Sequence, residues 1–151
     1  MDRYNRGKQA VSEEFDLERF VEVQAATYET ALAEIKRGAK RTHWMWFIFP
    51  QIAGLGHSGT AQRYAIFSLE EARAYPAHPA LGNRYRECVM ALQDLTGTTA
   101  KAIFGTIDAI KLRSSLTLFA EADGAPLFDA ATERWFGGEK DEATLRILDT
   151  L

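Results

Sequence analysis

The 151 residues carry 18 basic and 21 acidic side chains, a formal charge of −3, with 46% hydrophobic and 26% charged residues. That balance excludes a general attraction to nucleic acid or an anionic membrane, argues against direct nucleic-acid binding, and is ordinary for a folded domain. The single cysteine, Cys88, excludes an intramolecular disulfide and a thiolate zinc cluster.

A chain of this length buries roughly 70% of its unfolded surface, so one domain with one core is expected. Residues 1–12 are polar and predict a flexible amino-terminal segment; residues 13–151 predict a single helical domain. Asp16 can cap a helix from Leu17 to about Arg37, closed by Gly38. Its residues Leu17, Phe20, Val21, Ala25, Tyr28, Leu32 and Ile35 recur at helical spacing and make one core-facing stripe. In Thr42 to Gln51 every side is apolar, so periodicity cannot separate a buried helical turn from a buried strand. A short helix stopping before Pro50 is expected, because no second strand exists to satisfy a lone one.

Ile52 to Gly59 reads as a glycine-rich loop, and Thr60 to Phe67 as a short helix. Ser68 with Glu71 forms a capping box for a helix ending near Pro76. Pro79 suits a first helical turn, and helix is expected over Leu81 to Leu95. Thr98 caps a short helix to Phe104, which Gly105 closes. Thr106 opens the next, a turn follows at Asp123-Gly124, and Leu127 to Phe136 is helical up to Gly137-Gly138. Asp141 caps the last helix, Glu142 to about Asp149. The expected fold is all-α, a compact single-domain bundle of about eight helices with short connections. The longest apolar run, Trp44 to Pro50, is too short to span a bilayer. The opening residues lead into no apolar stretch, so there is no secretory signal and a cytoplasmic location is expected.

Three segments could carry chemistry, and each also has a purely structural reading. In Arg41-Thr42-His43-Trp44-Met45-Trp46-Phe47-Ile48-Phe49-Pro50-Gln51 the aromatics are either a core plug with polar ends or the wall of a small-molecule pocket. In the second case Arg41, His43 and Gln51 bracket that pocket, and His43 can transfer a proton near neutral pH. Gly54-Leu55-Gly56-His57-Ser58-Gly59 is a plain turn, or a loop whose amides and Ser58 approach an anion. It lacks the Lys-Ser/Thr ending of a Walker loop and the dinucleotide fingerprint. In Lys111-Leu112-Arg113-Ser114-Ser115-Leu116-Thr117 the hydroxyls back-bond to the preceding turn, or Ser114 and Thr117 line a polar pocket with Lys111. His43, His57 and His78 show no chelating spacing, so neither a metal nor a cofactor is expected. Cys88 lies in an amphipathic run and reads as a small core residue.

The first of these segments, followed by Gly54-Leu55-Gly56-His57-Ser58, resembles the signature of the domain of unknown function 1810 family. The similarity continues through Tyr64-Ala65-Ile66, Leu69-Glu70-Glu71-Ala72, His78-Pro79-Ala80-Leu81-Gly82, Ile103-Phe104-Gly105 and Asp108. It ends with Lys111 to Phe119 and Asp141. Where that family has Tyr-Leu before His-Pro this chain has Tyr75-Pro76, which is expected to shorten the helix. The resemblance implies a compact all-helical fold and no particular activity. A shorter similarity, to the NADAR class of ADP-ribose-processing proteins, rests on Gln24, Tyr28, Trp135-Phe136-Gly137-Gly138 and Asp141.

Two functions follow as expectations. In the first, the chain holds a small-molecule pocket and is either a binder or an enzyme for a nucleotide or phosphorylated metabolite. Arg41 and Lys111 would hold the anion, Trp44 or Trp46 would stack on a ring, and Gln51, Ser58, Ser114 and Thr117 would orient polar groups. His43 would be catalytic. In the second, the chain is a non-catalytic adaptor that binds an unspecified protein through its surface.

Overall fold

The computed structural model describes residues 15–151, and the flexible segment expected over residues 1–12 lies outside them. The described residues form eight helices: α1 Glu18–Arg37, α2 Met45–Ile48, α3 Gly59–Arg63, α4 Leu69–Ala77, α5 Pro79–Gln93, α6 Ala100–Asp123, α7 Pro126–Phe136 and α8 Glu142–Thr150. The all-α expectation holds.

Asp16 does not cap α1. It turns left-handed at φ 51°, and Leu17 takes the cap position without a side-chain bond. The reason is Arg19, whose guanidinium draws in the carbonyls of Phe15 and Asp16 at 2.7 Å each. It also donates to the carbonyls of Arg63 and Ala65 and pairs with Glu71 at 2.8 Å. One side chain thus ties the start of α1 to the segment after α3 and the first turn of α4. Of the expected stripe, Leu17, Phe20 and Ile35 are buried and Ala25 is exposed. Gln24 and Glu34 take inward positions instead, 1% and 2% exposed.

Trp44 to Phe49 does form a helical turn, which ends as Phe49 leaves helical backbone ahead of Pro50. The helix expected over Thr60 to Phe67 stops at Arg63. Beyond it the chain runs extended so that Ile66 pairs with the segment around Ile52, through Ile66 N–H to Gln51 O and Ala53 N–H to Ile66 O. Ser68 caps α4 as expected, accepting from Glu71 N–H, while the Glu71 carboxylate accepts from Phe67 N–H. α4 ends at Ala77, as expected near Pro76, which sits in its last turn, and His78 N–H closes the helix on Ala74 and Tyr75. His78 Nδ1 then accepts from Ala80 and Leu81 N–H to start α5, which ends at Gln93 rather than Leu95.

The cap of α6 is Thr99, not Thr98, with Oγ1 accepting from Ala102 N–H at 3.1 Å. Gly105 breaks α6 as expected. Its φ 83° and ψ 166° lie in a region essentially confined to glycine. The chain therefore kinks there and restarts a helix at Thr106. Every residue from Ser114 to Ala120 is buried, so the second half of α6 is the central element, with Ser114, Ser115 and Thr117 enclosed among its apolar residues. Phe119 on α6 packs with Tyr75 of α4 and Tyr85 of α5 at centroid distances of 5.1 and 4.8 Å, and Tyr85 packs in turn with Phe128 of α7 at 5.2 Å. Asp141 caps α8 through Thr144 N–H. No helix among the described residues is long and apolar enough to cross a membrane.

Candidate functional site

The segment between α1 and α2 is held by a carboxylate. Glu34 Oε1 accepts from Arg41 N–H, Thr42 N–H and the Trp44 indole at 2.7, 3.0 and 2.9 Å, and Oε2 accepts from the Thr42 hydroxyl at 2.7 Å. Burial by itself would push the Glu34 carboxyl up. The bonds from Arg41, Thr42 and Trp44 outweigh it and hold the group down at about 2. This clamp fixes the backbone of Arg41 and Thr42 and seals Trp44, 1% exposed, into the core against Phe49 and Phe104.

Next to the clamp two lysines meet one aspartate. Lys40 Nζ lies 2.9 Å from Asp108 Oδ2, and Lys111 Nζ 3.2 Å from Asp108 Oδ1. The three side chains are 9%, 18% and 19% exposed. Lys40 Nζ also donates to Thr42 O at 2.7 Å, the carbonyl that precedes His43, and stands 5.1 Å from the Trp44 ring. Lys111 Nζ stands over the Trp46 ring at 3.8 Å. An ammonium carries three donors; Lys40 directs two of them to Thr42 O and Asp108, and Lys111 directs one to Asp108 while its ammonium also faces the Trp46 ring. The triad carries a surplus positive charge, and Arg41 follows Lys40 in the chain.

Trp46 also borders a small pocket of about 10 Å³, shared with Gln51, Gly54, Gly56 and Tyr64. That is room for one water. A Cβ on Gly56 would come 2.7 Å from the Ala61 Cβ and 3.4 Å from Trp46 Cζ3, so glycine there lets the loop lie against the ring.

The structure divides the residues singled out in the sequence. It brings Trp46 and Lys111 together, with Gln51 beside them and Arg41 and His43 on the adjoining loop, both exposed. It sets four others apart in structural duties. Trp44 is enclosed. Ser58 is the cap of α3, accepting from Ala61 N–H. Ser114 and Thr117 are buried and donate back to Ile110 O and Arg113 O, and Thr117 Oγ1 also accepts from Asp141 N–H. The glycine loop is braced from outside by α8, whose Ile147 meets Gly54. Glu34, Lys40 and Asp108 were not singled out as site residues. Asp108 could have been noticed at i,i+3 from Lys111, but nothing local pairs it with Lys40.

Among the residues behind the NADAR similarity, Gln24 and Tyr28 share Arg84, which donates to Gln24 Oε1 at 3.4 Å and stands 5.6 Å from the Tyr28 ring. Gln24 donates to Phe47 O and Tyr75 Oη, Trp135 Nε1 donates to Gln93, and Asp141 binds Thr144. Cys88 is fully buried, and desolvation first, then the nearby Glu87 charge, pushes its thiol up to about 12. Among the described residues no group of three or more His, Cys, Asp or Glu side chains is arranged to hold a metal ion.

The family model described as protein of unknown function (DUF1810) matches residues 14–148. The chain belongs to that family. A conserved hypothetical protein from Mycobacterium tuberculosis, known from a crystal structure, has the same fold, with a TM-score of 0.88 at 47% identity. The match covers 90% of this chain and 98% of that one. No curated protein matches. Neither description states an activity, so a functional reading of this DUF1810 member has to come from the site.

Proposed function

We propose that this chain binds a small phosphorylated metabolite at Lys40, Asp108 and Lys111. One observation carries the reading: two lysines largely shielded from solvent converge on a single carboxylate and outnumber it. An ion pair shielded from solvent recovers its desolvation cost only when its remaining donors are also satisfied. Two shielded ammonium groups on one aspartate therefore suit recognition of an anion better than they suit holding the fold together. Arg41 adds charge from the next position in the chain, and Gln51 borders the small pocket beside Trp46. Should the bound metabolite be turned over, His43 is the proton carrier, exposed and one residue beyond the carbonyl that Lys40 holds.

The test is a thermal-shift panel of nucleotides, ADP-ribose, NAD and phosphorylated metabolites. A ligand at a hundred times its dissociation constant adds about 2.7 kcal/mol to stability. The expected hit disappears in Lys111→Ala and weakens in Arg41→Ala, with both variants folded. A ligand that stabilises Lys111→Ala as well as the parent chain binds elsewhere and sinks the assignment.

A second reading, a non-catalytic protein-binding module, is favoured by Ile107 and Ile110, which are 71% and 50% exposed on α6. It predicts a silent panel and a partner lost on Ile107→Asp.

A further inference from the structure

Both oxygens of the Asp108 carboxylate are taken by the two lysines, Oδ2 by Lys40 at 2.9 Å and Oδ1 by Lys111 at 3.2 Å. Two oxygens on one centre, each facing one ammonium, is also how a phosphate sits between two lysines. Among the described residues the Asp108 side chain makes no other hydrogen bond or ion pair. It caps no helix and ties down no other segment. Its carboxylate fills the position that an incoming anion needs.

The lysines have anchors of their own. Lys40 is fixed through its backbone, whose N–H donates to Ile103 O at 2.9 Å. Its ammonium is also held by Thr42 O at 2.7 Å, and the Glu34 carboxylate locks Thr42 in turn. Lys111 leans on the Trp46 ring at 3.8 Å. Asp108, by contrast, can leave. Its side chain is 19% exposed, so a rotation about its own bonds carries the carboxylate to water without opening the core. Two shielded ammonium groups left without an anion would be costly, so the departure of Asp108 is tied to the arrival of a replacement.

Resting on the reading that Lys40 and Lys111 bind an oxyanion, we infer that Asp108 is an internal competitor for that ligand: its carboxylate closes the lysine pair at rest and is displaced when a phosphate arrives. The charges agree with this exchange. With Asp108 in place the triad carries one surplus positive charge. With Asp108 displaced both lysines face the ligand, which matches the nearly doubly charged phosphate monoester.

The full chain and its Asp108→Asn variant are titrated with inorganic phosphate at constant ionic strength and followed by NMR chemical shifts. Asp108→Asn is expected to bind at least about ten-fold tighter than the parent, because like unit charges about 4 Å apart repel by more than that factor at protein-like permittivity. The gain should vanish when Lys111→Ala is added. In the parent chain the side-chain carboxyl carbon of Asp108 should move to the position of an unpaired, solvated aspartate as phosphate saturates the site, a readout independent of how the variant folds. Equal or weaker binding by Asp108→Asn, or an Asp108 carboxyl signal unmoved at saturation, overturns the inference and leaves the oxyanion site standing, with Asp108 positioning the lysines. Binding that persists at full strength in the double variant lies elsewhere and overturns both. If neither the parent nor Asp108→Asn binds phosphate, the site itself falls, and the inference with it.

Discussion

Replacing Glu34 with glutamine keeps the shape of the side chain and removes its charge. Four donors converge on this carboxylate, three of them on Oε1. An amide offers one accepting oxygen and turns an NH₂ group toward at least one donor, so the substitution both weakens the bonds and opposes one of them. The size of the effect can be worked from proton binding. Holding the carboxyl at about 2 against its ordinary 4.5 corresponds to about 3 kcal/mol at 1.36 kcal/mol per pH unit. Solvent at the exposed Arg41–His43 edge screens this to about 2 kcal/mol. Because the folded-state value is depressed, the stabilisation is fully present above the unfolded value near 4.5. It is lost as pH falls from about 5 toward 2. Urea unfolding of the parent chain and of Glu34→Gln, compared between pH 7 and pH 2.5, should show a gap of about 2 kcal/mol that closes as Glu34 of the parent protonates. A gap below about 0.5 kcal/mol at pH 7, or one that does not change with pH, would refute the argument that the clamp acts through its charge.

Gly105→Ala should lower stability by about 2 kcal/mol through backbone strain alone, since nothing lies within 4 Å of an added Cβ. Gly59→Ala, equally open and with no left-handed backbone, is the control and should be close to neutral in the same melt. Gly82→Ala acts by collision instead, because its Cβ would overlap the carbonyl oxygen of Pro76 where α5 meets α4. A loss of about 3 kcal/mol or failure to fold is expected by circular dichroism. The buried Cys88 thiol should react with an aromatic disulfide reagent at pH 8 only at the rate of unfolding. Prompt reaction of the native chain would contradict its burial.

The local pattern determined the helices and several of their ends. Gly105 breaks α6 because the backbone angles it needs are open to glycine, and Ser68, Pro79 and Asp141 mark starts because capping uses atoms within three residues. Even Trp44 to Phe49, apolar on all sides, could be typed by elimination. Where a partner remote in sequence competes, the local reading fails. Asp16 is drawn out of its cap by Arg19, and the helix after Ser58 stops early because Ile66 pairs back with Ile52. The same limit applies to the site. Trp46 and Lys111 stand out by type, but their contact at 3.8 Å depends on how α2 lies on α6. Lys40 and Asp108 look like solvated charges in the sequence and are drawn together by packing. Ser114 and Thr117 look like pocket hydroxyls, and the burial of α6 turns them back on their own helix. A side chain's type and helical face are local properties. Which polar groups are shielded together, and so compelled to pair or left able to bind, is decided when the helices pack.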